Sequence, residues 1–243
     1  MMRRPLSFVP MAIALLAALL SVAPALAQEA TPVAQESPTA VAEELRPWVV
    51  SDPFIPAPDE CTADAIDVTT LAASLATPIP VAGPNLTSAG IEAMNVTGLA
   101  DAATSQGVLD TLTLFWACTN AGNRPAVASL MTPAAVSQFY GIDLTLSGGE
   151  LQDAVAAALA NSGDRPDGER AFIDGVLTVE YLGDGRTGAL VLNTDPYVNN
   201  GLPVLDLFIF VNLNGVFQVD SVVFDPFDLT PGYGHEIGSS NWS

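Results

Sequence analysis

The sequence predicts an α+β domain, with helices first and antiparallel strands after them. Three observations carry this. Between Asp101 and Ala160, apolar residues recur at helical spacing and are interrupted by capping residues. From Ala171 onward the pattern turns strand-like. Two dipeptides, Asp184-Gly185 and Asn214-Gly215, sit between apolar runs as hairpin turns.

The chain opens on a short basic stretch with Arg3 and Arg4, an apolar run from Met11 to Val22, and the small-x-small pattern Ala25-Leu26-Ala27. That is the layout of a cleavable signal peptide over residues 1–27. The run is shorter than the roughly 20 residues a bilayer span needs. Export follows, and no later segment is apolar for a membrane's thickness. Residues 28–60 form a Pro-rich region. Its first part lacks periodicity and large apolar side chains, so it reads as a flexible spacer. From Arg46 to Glu60, four prolines around Trp48, Phe54 and Ile55 forbid regular helix and suggest an extended segment lying on the domain. Residues 61–99 are irregular, with a short helix within Asp64–Ala76. The domain proper spans 100–228 and a tail runs over 229–243.

Within the domain, Val108, Leu112, Phe115, Trp116 and Thr119 make one apolar helical stripe. Asn120-Ala121-Gly122 ends that helix, with Gly122 suited to the left-handed cap. Asn123 caps a second helix with Pro125 in its first turn, and Thr132-Pro133 starts a third that closes at Tyr140-Gly141. Ser147 and Glu150 have capping-box spacing and introduce an Ala-rich helix reaching Ala160. A two-residue turn at Asp184-Gly185 sets Val179 opposite Leu190 and Leu177 opposite Leu192 as the buried face. Thr178, Glu180, Thr187 and Ala189 then take the other face. The Asn214-Gly215 hairpin is apolar on both faces. One carries Leu205, Leu207, Ile209, Val211, Val216 and Val222; the other carries Phe208, Phe210, Phe217, Val219 and Val223. Such a hairpin needs cover on both sides. Helices supply one cover, and a loop, the N-terminal segment or a second copy supplies the other.

Charge and cysteines limit the function. Seven basic residues, none of them Lys, face 27 acidic ones, for a formal net charge of −20. Arg3 and Arg4 leave with the signal peptide. Such a surface repels phosphate backbones and excludes nucleic acid as a partner. Cys61 and Cys118 are the only cysteines. In an oxidising compartment an even count reads as a disulfide, here closing a loop of about 57 residues.

Candidate chemistry is sparse. The one His, His235, lies in the Gly-rich tail and can serve neither a nucleophile triad nor a transition-metal cluster. No metal or cofactor is therefore predicted. Asp164, Asp167 and Glu169, or Asp225 and Asp228, offer oxygen ligands without EF-hand spacing. Asp206 and Asp220 are the acids flanked by apolar strand residues, where desolvation raises a carboxyl pKa. The strand pattern puts them on opposite faces. Phe115, Trp116, Phe139, Tyr140, Phe208, Phe210 and Phe217 are the side chains that would line an apolar cavity, and the same residues serve as core. Among them Phe115, Trp116, Tyr140, Phe208 and Phe210 are the candidate pocket. Asn85, Asn95 and Asn241 head glycosylation tripeptides.

The first helix running into Cys118-Thr119-Asn120-Ala121-Gly122-Asn123, then Leu130-Met131-Thr132-Pro133, Tyr181-Leu182-Gly183-Asp184-Gly185-Arg186 and the closing run Leu207–Val222, resembles the nuclear-transport-factor-2-like superfamily over about residues 100–226. The resemblance implies a curved antiparallel sheet wrapped on helices as a cone, with a cavity at its wide end and pairing of copies through the open sheet face. No catalytic motif carries over to a residue of this chain. Together these readings favour a secreted, non-catalytic domain that binds an apolar small molecule, self-associates, or both. The alternatives are an isomerase- or cyclase-like acid–base enzyme using Asp206 or Asp220 on a hydrophobic substrate, and an extracellular structural or interaction module.

Overall fold

A computed structural model describes residues 49–77 and 96–227. The predicted signal peptide, the first part of the spacer, residues 78–95 and the predicted tail lie outside the described residues. So do His235 and the glycosylation asparagines Asn85, Asn95 and Asn241. Compactness divides the chain into residues 1–45 and 46–243, and every described residue belongs to the second unit.

Among the described residues five α-helices precede or accompany the sheet, and local capping fixes most of their starts. Helix α1 (Val68–Leu75) begins where the Asp67 carboxylate accepts the Thr70 N–H, and it buries Leu71, Ala72 and Leu75. Strand β1 is Val96–Leu99. Helix α2 (Ala102–Asn120) is capped by Asp101 and buries Val108, Leu112, Phe115 and Trp116, the predicted stripe; Thr119 is half-buried. Its end is a Schellman motif. Gly122 N–H donates to the Thr119 carbonyl and Asn123 N–H to the Cys118 carbonyl, with Gly122 at φ +60°. Asn123 and Thr132 then cap α3 (Arg124–Ser129) and α4 (Pro133–Phe139), as their sequence positions indicate. Helix α5 (Gly148–Ala158) departs from expectation. Ser147 makes no side-chain cap bond, since Gly148 turns the entry at φ +56°, and the helix stops two residues before Ala160.

The strands β2 (Phe172–Leu182), β3 (Thr187–Thr194), β4 (Val204–Leu213) and β5 (Val216–Phe224) complete one antiparallel sheet in the order β1-β2-β3-β4-β5. The N-terminal segment lies extended against β2. Val50 exchanges backbone hydrogen bonds with Val176, and Phe54 with Ile173. Part of the β2 edge is thereby paired. A disulfide joins Cys61 to Cys118, as predicted, with Cα atoms 4.6 Å apart. In the chain-entropy model a link across 57 residues stabilises the fold by about 4 kcal/mol.

Two registers differ from the sequence expectation. The β2–β3 turn is a three-residue loop, Gly183-Asp184-Gly185. Leu182 N–H meets the Arg186 carbonyl, Gly185 N–H meets the Leu182 carbonyl, and Gly185 sits at φ +87°. One extra loop residue moves the register by one, so Val179 pairs with Ala189 and Thr178 with Leu190. The buried face is therefore Val179, Ala189 and Val191, and Leu190 is not part of it. The β4–β5 turn is Asn214-Gly215 as predicted, with both residues at positive φ, the mirror-image turn that suits strand twist. A bulge then leaves Asp220 without a strand partner. Beyond it Val222 pairs with Phe208 and Val223 with Leu207, which exchanges the faces predicted for the two valines.

The main core lies between the helices and one sheet face. Phe115 sits at its centre, edge-on to Trp116, Phe139 and Phe208, with ring centroids 5.3, 5.8 and 5.8 Å away. Leu182, Ile209 and Val223, with Leu207 packed on them, form a small cluster on the other face. Ile209 is 0 % exposed, while Leu205, Leu207 and Val211 beside it on that face are half-buried.

Candidate functional site

Helices α2 and α4 present aromatic side chains at the end of the domain where the disulfide sits. Phe115 and Trp116 come from α2, and Phe139 and Tyr140 from the end of α4. Four residues of helical spacing bring Phe115 and Thr119 to one side of α2. The loop 162–166 faces them. It is drawn in by Ser162 N–H donating to the Gly122 carbonyl and Arg165 N–H donating to the Asn120 carbonyl. Between these parts lies a cavity of about 310 Å³, lined by the four aromatic residues, Thr119 and Val127, with Arg124, Ser162, Asp164, Arg165 and Tyr197 on its polar side.

Asn120 holds this region together. It is fully buried and its side chain is satisfied by three hydrogen bonds: Nδ2 donates to the carbonyls of Pro56 and Ala171, and Oδ1 accepts from Ala171 N–H. The residue thus ties the end of α2 to both the N-terminal segment and the start of β2.

On the cavity's polar side, Arg165 Nη1 lies 2.9 Å from Asp195 Oδ1, and its guanidinium carbon sits 4.8 Å from the centre of the Tyr197 ring. The same Asp195 oxygen accepts the Tyr197 backbone N–H, and the Tyr197 hydroxyl donates to Glu169. Arg124 gives Nη1 to the Ala158 carbonyl at 3.3 Å. The Tyr140 hydroxyl lies 3.5 Å from the Arg124 carbonyl. Burial pushes the Tyr140 phenol well above the usual tyrosine range, against a smaller opposing pull from Arg124. Tyr140 is therefore a protonated donor at any physiological pH.

A second, much smaller chamber of about 10 Å³ shares the walls Phe115, Trp116 and Phe139 and reaches Asn193, Asp195, Asp206 and Phe208. Trp116 Nε1 and Asp195 Oδ2 are both buried without a hydrogen-bond partner among the described residues.

The structure divides the predicted site residues. Phe115, Trp116 and Tyr140 line the larger cavity. Phe208 lines only the small chamber, and Phe210 lines neither, being stacked on Phe208 with ring centres 6.4 Å apart in the core. Asp206 borders the small chamber, accepting from Asn193 Nδ2 at 3.0 Å and from the Asp225 N–H at 3.1 Å. Asp220 borders neither cavity. It receives Arg186 Nη1 at 3.0 Å and the Thr132 hydroxyl at 3.1 Å, and this pull of partners accompanies the bulge. Neither acid opens on the larger cavity.

Among the described residues, no group of three His, Cys, Asp or Glu is placed to hold a metal ion. Asp167 pairs instead with Arg170 at 2.7 Å. No helix among them is long and apolar enough to cross a membrane. Sequence reasoning missed Asn120, Arg124, Arg165, Asp195 and Tyr197. The available signal was the scarcity of arginine in so acidic a chain. Comparison with family models, with curated proteins and with solved structures finds no match to this chain.

Proposed function

We propose that this chain is an exported domain whose α+β fold is a cone of the nuclear-transport-factor-2-like type, and that it binds a small, mainly apolar molecule in the cavity between α2, α4 and the loop 162–166. The cavity itself carries the reading. At about 310 Å³ it falls at the lower end of the range for small-molecule sites, and five aromatic side chains line its wall. The disulfide at Cys118 and the buried Asn120 hold that wall in place, and a pre-formed site loses little freedom on binding. Binding is favoured over proton transfer because Asp206 and Asp220 sit away from the cavity, each with hydrogen-bond partners. The predicted leader and the Cys61–Cys118 bridge support export.

The neutral dye N-phenyl-1-naphthylamine, which brightens in apolar surroundings, tests the reading. The expected result is saturable binding at one site, with a dissociation constant of about 100 µM or tighter from roughly 0.3 kcal/mol per heavy atom. Thr119→Trp, which fills the cavity from α2, is expected to abolish it while the circular dichroism spectrum is retained. Unchanged dye binding in that variant refutes the assignment.

A further inference from the structure

The cavity is donor-rich in a chain that is otherwise dominated by acids, and we infer that its ligand carries a carboxylate set against Arg124 and Arg165. This deepens the binding reading above and rests on it. Only seven basic residues stand against 27 acidic ones, and four arginines lie among the described residues. Two of those four, Arg124 and Arg165, line this cavity. Arg186, paired with Asp184 and Asp220, and Arg170, paired with Asp167, lie outside it.

Arg165 is held for such a task. Asp195 takes one of its N–H groups, and the Tyr197 ring packs on its guanidinium. A guanidinium has five N–H donors in a fixed fork, so anchoring one leaves others for a ligand in a set direction. Asp195 is 2 % exposed and is not among the residues lining the larger cavity. The cavity therefore meets the cation, while its counter-charge lies behind it.

The remaining polar groups agree. The Tyr140 phenol lines the cavity in its protonated form, with its O–H directed at the Arg124 carbonyl at 3.5 Å. The Trp116 indole N–H, in the wall shared by the two cavities, has no acceptor among the described residues. Asp164 is the one acid in the lining, and it is exposed to solvent. The overall negative charge repels anions at a distance, but salt screens that repulsion beyond the Debye length, about 14 Å in about 50 mM salt. Charge-assisted hydrogen bonds act at contact and decide the outcome inside the cavity.

A matched set of probes tests this by calorimetry on the purified protein: 1-naphthaleneacetate, its primary amide 1-naphthaleneacetamide, and 2-(1-naphthyl)ethylamine. The acid is expected to bind about tenfold tighter than the amide in about 50 mM salt, with the gap narrowing in about 500 mM salt and the amine weakest. Arg124→Gln and Arg165→Gln are each expected to shrink the gap between acid and amide, and Arg165→Lys to keep part of it. The wild-type comparison stands even where a variant fails to fold. Equal binding of acid and amide, or preference for the amine, overturns the carboxylate assignment and leaves apolar binding intact. Failure of all three to bind overturns both.

Discussion

Arg186 leaves a hairpin turn, where an exposed side chain would be ordinary, yet it is only 6 % exposed and binds two aspartates. It takes Asp184 through Nε and Nη2, at 2.9 and 2.7 Å, and reaches Asp220 on β5 through Nη1 at 3.0 Å. Asp220 is the bulge residue and is nearly buried, with Arg186 as the cation beside its carboxylate. Arg186→Gln is therefore expected to lower the unfolding free energy by about 3 kcal/mol in a urea melt at neutral pH. Partial burial pushes the Asp184 carboxyl up, but the hydrogen bonds and charge of Arg186 together hold it below the usual carboxylate range. A depressed folded pKa gives stability that is complete above the unfolded value of about 4 and is lost as pH falls through the folded one. The difference between wild type and Arg186→Gln should thus narrow on acidification below about pH 4. A difference that stays constant from neutral pH to about pH 3 contradicts this account of the cluster.

At the level of elements, the turn between α2 and α3 both ends a helix and shapes the cavity. Gly122 has φ +60°, and a Cβ there would lie 2.1 Å from the Gly163 carbonyl oxygen. Gly185 in the β2–β3 loop has φ +87° but open space around it. Gly185→Ala is expected to cost about 1 kcal/mol, for left-handed backbone alone. Gly122→Ala should cost about 3 kcal/mol, because the loop at Gly163 must also move. Gly122 and Gly163 both line the cavity, so the second variant should also weaken dye binding while the first does not. Equal costs in thermal melts would show that the close approach is absent. These elements also show what the sequence could convey. Caps at Asn123, Thr132 and Gly122 were legible because a cap is made by neighbours in the chain. The Asp184-Gly185 register was not, since a left-handed glycine suits both a two- and a three-residue loop. Nor was the bulge at Asp220, whose partner Arg186 lies 34 residues away.

Among the described residues, one five-stranded sheet and five α-helices enclose an aromatic core, and the cavity opens where that core meets the disulfide-linked end of α2. The fold class and the Cys61–Cys118 bridge were readable from composition, periodicity and compartment. The apolar half of the candidate cavity's lining was readable in part, because Phe115 and Trp116 fall on one helical stripe. Its polar half was not. Arg165 and Asp195 are 30 residues apart in the chain and meet only in the fold, so no spacing rule joins them. The same non-local packing places Phe208 and Phe210 in the core although their residue type suits a pocket equally well.

Occupation of the cavity walled by Trp116 by a small apolar molecule is the expected outcome. Its most direct measurement is the indole N–H resonance of Trp116 in protein labelled with ¹⁵N-tryptophan, assigned by its loss in Trp116→Phe and followed while 1-naphthaleneacetamide is added. The expected result is a saturable shift of that resonance, abolished by Thr119→Trp. A Trp116 signal that stays in place while the amide binds elsewhere would contradict it.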